Sequence, residues 1–185
     1  MVTSEEQLEI LKQKVKIVFA DVPYPKGIIA PHECDECQEV RRTFKNKNWK
    51  TIEPEILEEN FGIIPLFSSE AFHFFLPAYL IYSLEHFSEK YDTVCEYTIY
   101  AVTPDKKSIK NTSNYWQEKF KEFTLEQMNC IYEFLDFVRE DENFERFIKE
   151  VETGKQNLKE FIEPLLKKYE SDCGYTEKRK KRSSG

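Results

Sequence analysis

Glycine is scarce in this 185-residue chain, with only five, and that argues against a fold built on tight hairpins. The five cysteines are odd in number and fall in no regular framework, which excludes a secreted disulfide scaffold. No apolar run is long enough to span a bilayer. The longest, Ala71 to Leu84, has 14 residues and contains His73 and Pro77, whereas a span needs about 18 or more. The opening residues Thr3, Ser4, Glu5 and Glu6 do not read as a signal peptide. Nucleophile elbows, phosphate loops, H-E-x-x-H zinc motifs and dinucleotide fingerprints are all missing. These absences leave the expectation of a soluble, cytoplasmic protein with no membrane segment and no recognisable catalytic motif.

Large rings are abundant, with 15 phenylalanines and 10 tyrosines, and they imply a core built from aromatic side chains. Hydrophobic residues make up 40% and charged residues 33%, a globular balance at a length suited to one domain. The net charge is −7, but the stretch 175–185 holds five basic residues and one acidic. The remainder therefore carries 22 basic against 33 acidic residues, or −11, and repels phosphate backbones at long range. The expected organisation is one helical domain over 1–174 and a basic, disordered tail over 175–185. Nucleic acid is expected to touch the chain only through Lys178, Arg179, Lys180, Lys181 and Arg182, and the expected partner is a protein.

Periodicity predicts a mostly α protein, an irregular bundle around one proline-kinked buried helix. The first helix is announced by Thr3 and Glu6 at capping-box spacing and by Leu8, Leu11, Val15, Val18, Phe19 and Val22, ending before Pro23 and Pro25. A loop from Tyr24 to Glu33 leads to a short helix with Cys37, Val40, Arg41 and Phe44 on one face, then an amphipathic turn over Glu53 to Asn60. Ser68 and Ser69 cap the most apolar helix, Glu70 to Phe87, which is hydrophobic nearly all round and contains Pro77. The β-branched and aromatic run Thr93 to Val102 is expected to be a minor extended segment. A short helix over Ser113 to Glu122 follows. Thr124 and Gln127 then form a capping box, with Phe123 and Met128 as its hydrophobic staple. Phe144, Phe147, Ile148 and Val151 predict a helix stopped by Gly154, and Leu158 to Tyr169 a last one, bent or restarted at Pro164.

The sharpest chemical pattern is His32-Glu33-Cys34-Asp35-Glu36-Cys37, an H-x-C-x-x-C stretch that supplies the local half of a tetrahedral zinc site. A fourth ligand would come from Cys95, Cys130, Cys173, His73 or His86, and spacing selects none of them. The plain alternative is a pair of reduced thiols opening a helix. A redox role is disfavoured by the flanking carboxylates, which oppose thiolate formation. A second candidate site is an aromatic pocket around Glu70, Phe72, His73 and Tyr79, set against the plainer reading of an aromatic core stripe.

Several ordered motifs recur together: Phe19-Ala20-Asp21-Val22-Pro23; His32 to Cys37 with Phe44 and Trp49; Ser69-Glu70-Ala71-Phe72; Leu76-Pro77-Ala78-Tyr79-Leu80; and Phe123-Thr124 with Gln127, Phe134 and Leu135. Together they resemble a family of small bacterial proteins known as a domain of unknown function. The resemblance covers Val15 to Val138, and its most specific part is the F-x-F-F-L-P-A-Y-L segment. It implies a bacterial, cytoplasmic, α-rich protein and supplies no activity. The cysteine pair is not found in every member, which weakens any mechanism requiring both thiols. The leading expectation is a non-catalytic helical domain that binds another macromolecule. A zinc-stabilised domain and an enzyme with a pocket at His73 are the alternatives.

Overall fold

A computed structural model describes residues 4–86, 92–104, 115–140, 145 and 147–183, with side chains of the last helix described as far as 167. Among the described residues there are helices and no strand. Helix α1 runs Ser4–Val18, α2 Asp35–Phe44 and α3 Pro54–Glu59, followed by a 3-10 helix at Phe61–Leu66. Then come α4 at Ser69–Glu85, α5 at Thr93–Val102, α6 at Tyr115–Phe120, α7 at Leu125–Glu140 and α8 at Ile148–Ser183. The expected positions Thr3, Phe87 and Phe144, and the side chains of Tyr169, Cys173 and the Lys178–Arg182 run, lie outside the described residues.

Helix α4 is the centre of the bundle because its sequence is apolar on every side. It packs against α1, α5, α6 and the 3-10 helix, while α7 lies between α1 and α8. Ser68 caps α4, its Oγ accepting from the Ala71 amide at 3.2 Å, and Pro77 lies inside the helix. Phe75, Tyr79, Leu80 and Leu84 are wholly buried along it. Phe44, Phe67 and Phe75 meet at centroid distances of 5.0–5.4 Å, so aromatic edges and faces build this part of the core.

Three local expectations are corrected. Thr93–Val102 is a helix, not an extended segment. Asp92 caps it through Oδ1, which accepts from the Cys95 amide at 2.8 Å, and the hydroxyl of Thr98 donates to the Val94 carbonyl at 2.7 Å. Its buried residues are Val94, Cys95, Thr98, Ile99 and Val102, a helical spacing that packs on α4 and the 3-10 helix. Burial at that period overrides the β preference of the individual residues. Gly154 does not stop a helix, and none restarts at Pro164, since α8 runs through both. Gly154 is there for close approach: a Cβ on it would lie 2.4 Å from Thr103 Cβ and 2.8 Å from Thr103 Cα. One turn further on, Asn157 Nδ2 donates to the Pro104 carbonyl at 2.5 Å, so the end of α5 sits directly on α8.

Candidate functional site

Helix α2 opens at Cys34, whose sulfur accepts from the Cys37 amide at 3.5 Å and serves as the N-cap. His32 and Cys34 are exposed, whereas Cys37 is wholly buried with Val40 and Phe44 on the core side of α2. Burial pushes the Cys37 thiol up from its ordinary range. Among the described residues, no three His, Cys, Asp or Glu side chains gather into a group that could hold a metal ion. The loop is fastened by a residue read only as part of a helix face. Arg41 Nη1 donates to the carbonyls of Ala30 at 2.7 Å and His32 at 2.9 Å, and Nη2 reaches Glu33 at 3.3 Å.

The four residues of the expected aromatic pocket have separate duties. Glu70 Oε2 accepts from the backbone amides of Gly27 at 3.0 Å and Lys26 at 2.8 Å, which holds its carboxyl below the usual range and ties the loop to the start of α4. Tyr79 is buried and donates its hydroxyl to the Asn60 carbonyl at 3.3 Å; burial raises its pKa. Phe72 is buried against Phe120 and Phe123. His73 is half-buried, packs on Phe123 at 4.6 Å and bonds Gln127 at 2.8 Å. These side chains stitch elements together.

Among the described residues, the largest apolar exposure lies on α1. Its stripe of Leu11 and Val15 faces the core, yet Ile10 is 61% and Ile17 73% exposed, two turns apart on the outer face. Beside them, α1 and α7 are clamped by Lys14, whose Nζ donates to both carboxylate oxygens of Glu133 at 2.5 and 2.7 Å. The groove between the two helices, of about 350 Å³, has Ile10, Leu11 and Phe137 as its apolar part and Glu133, Asp136 and Glu140 along one side. It continues into a second depression along α1 bordered by Glu6, Glu9 and Ile17. Five carboxylates and the single ammonium of Lys14 line the two together. Behind the rim, Arg139 and Lys155 pair with Asp136. Sequence reading passed over Ile10 and Ile17, although both are aliphatic residues standing off the core stripe of an amphipathic helix.

Taken together, the fold and this surface define an all-α domain in which the outer face of α1 is left uncovered among the described residues, and no described helix is long and apolar enough to cross a membrane. The chain belongs to a family of unknown function, DUF6714, whose profile matches residues 8–162. No curated protein and no solved structure matches it.

Proposed function

We propose that this protein is a non-catalytic binding module that takes a basic amphipathic helix of another protein into the α1–α7 groove. The observation carrying this reading is the exposure of Ile10, beside Phe137, and of Ile17 two turns along α1, within a rim of carboxylates. An apolar floor of helical period suits the i, i+3, i+4, i+7 anchors of an incoming helix. The acidic rim, on a body already net negative, selects basic residues around those anchors and speeds encounter. The free thiols of Cys34, Cys37 and Cys130 suit a reducing compartment, and we place the module in a bacterial cytoplasm.

Calorimetry with a synthetic Leu/Lys helical peptide tests this reading against a peptide of identical composition scrambled to destroy the amphipathic face. The amphipathic peptide is expected to bind at least about tenfold tighter, more weakly as salt rises, and to lose that advantage with Ile10→Asp/Ile17→Asp. The double variant should keep its helical spectrum and melting temperature, because both side chains are already in water. Equal affinity for the two peptides, or no effect of the double variant, overturns the proposal. A dimer that the same variant dissociates would reassign the face to a second copy of the chain.

A further inference from the structure

A second cavity, remote from that groove, surrounds a buried lysine. Lys119, on α6, is 5% exposed, and its Nζ donates to the carbonyls of Pro65, at 3.1 Å, and Phe67 at the end of the 3-10 helix. An ammonium has three donors, so these two acceptors leave one N–H over. Nζ stands 5.4 Å from the ring centroids of both Phe72 and Tyr115. No carboxylate pairs with Lys119 among the described residues. An uncompensated buried charge is costly, and structures retain one only with a partner or a task.

The lysine and both rings line a cavity of about 200 Å³, whose other walls include Tyr97, Ala101 and Trp116. A cavity of about 150 Å³ holds a benzene, so this one has room for a single ring and one small substituent. Its walls are flat and aromatic, Trp116 among them. The lining thus offers ring faces and an ammonium with no carboxylate partner among the described residues.

We propose that this cavity binds a small aryl carboxylate, whose anionic group pairs with the Lys119 ammonium while its ring lies against Phe72, Tyr115 and Trp116. Each property of the ligand follows from a wall: planarity from the rings, size from the volume, and a single negative charge from the ammonium. Capping the 3-10 helix explains two of the lysine's bonds, but it leaves unexplained the third donor and the lack of a counter-ion among the described residues. The acidic exterior weakens only long-range attraction. Screening removes that beyond about 8 Å at physiological salt, whereas a charge pair inside the cavity is screened far less.

Benzoate and its neutral isostere benzamide test the site, titrated separately into the full chain and followed by protein-observed NMR. Benzoate should shift resonances of Tyr97, Ala101 and Trp116 saturably and bind at least about tenfold tighter than benzamide. Lys119→Met should remove that preference. Ala101→Phe fills the cavity while leaving the lysine in place, so it should abolish binding of both compounds even if the methionine variant fails to fold. Equal affinities in the wild type, shifts scattered over surface lysines, or undiminished binding by Ala101→Phe would each overturn the proposal.

Discussion

His73 and Gln127 meet at 2.8 Å, and through that contact the Gln127 amide joins three helices. The same Gln127 Oε1 accepts from the Thr124 amide at 3.0 Å, and its Nε2 donates to the Val18 carbonyl at the end of α1 at 3.2 Å. An oxygen can only accept, so the proton of the neutral imidazole resides on His73 Nε2. Gln127→Ala would strand the His73 N–H and the Val18 carbonyl and remove half of the capping box. The expected loss is about 1–3 kcal/mol in urea denaturation, against less than about 0.5 kcal/mol for the exposed Glu126→Ala.

Stability should fall in mild acid because of the same histidine. Burial holds the His73 pKa below the ordinary imidazole value, outweighing the Gln127 bond and the charge of Glu122. With the folded pKa depressed, the unfolded chain takes up its proton first as pH drops below about 6.5. Stability is therefore fully present above that value and is lost as pH falls through the folded pKa. Carboxylates with lowered pKa, such as Glu70, act in a lower window. Urea midpoints at pH 7 and 5.5 should differ more for the wild type than for His73→Gln. Equal drops would assign the titration elsewhere.

Gly154→Ala should destabilise, although alanine is the better helix former by about 1 kcal/mol. The added methyl would meet Thr103 at both Cβ and Cα, at 2.4 and 2.8 Å, and backbone cannot step aside as a flexible side chain can. Overpacking of this kind costs about 1–3 kcal/mol. Thr103→Ala should fail to rescue it, because Thr103 Cβ and Cα both remain. A thermal melt of the double variant matching the wild type would refute this account of the α5–α8 crossing.

Lys119 predicts an alkaline gain. Burial lowers its pKa to about 8, so between about pH 8 and 10.5 the unfolded chain binds a proton that the folded chain has released. Stability from this group rises across that window. The buried thiol of Cys130 works in the opposite direction, its pKa raised to about 12 by burial, so the comparison must be made between variants. From pH 7.5 to 10 the wild type should gain on the order of 2–3 kcal/mol of stability relative to Lys119→Met. A constant gap would mean that the lysine does not titrate there.

Local chemistry was readable along the chain wherever partners are neighbours. Thr124 and Gln127 exchange the two capping bonds that their spacing implies, at 3.0 and 3.2 Å, and Cys37, Val40 and Phe44 form the buried face of α2. The apolar run of α4 gave its burial away because no face of it is fit for water. In each case the information lies within one or two turns.

Long-range contacts decided the rest. Thr93–Val102 is helical because α4 and the 3-10 helix bury residues at helical period, which no local propensity records. Gly154 reads as a stop until Thr103 is brought against it. Folding buries the sulfur of Cys37 and leaves that of Cys34 in water, and Arg41 fastens the loop between them and α1, none of which the spacing records. The exposure of Ile10 and the burial of Lys119 are likewise invisible in a one-dimensional pattern. Burial depends on what the chain brings back from dozens of residues away, so a lysine and an isoleucine can exchange their customary places.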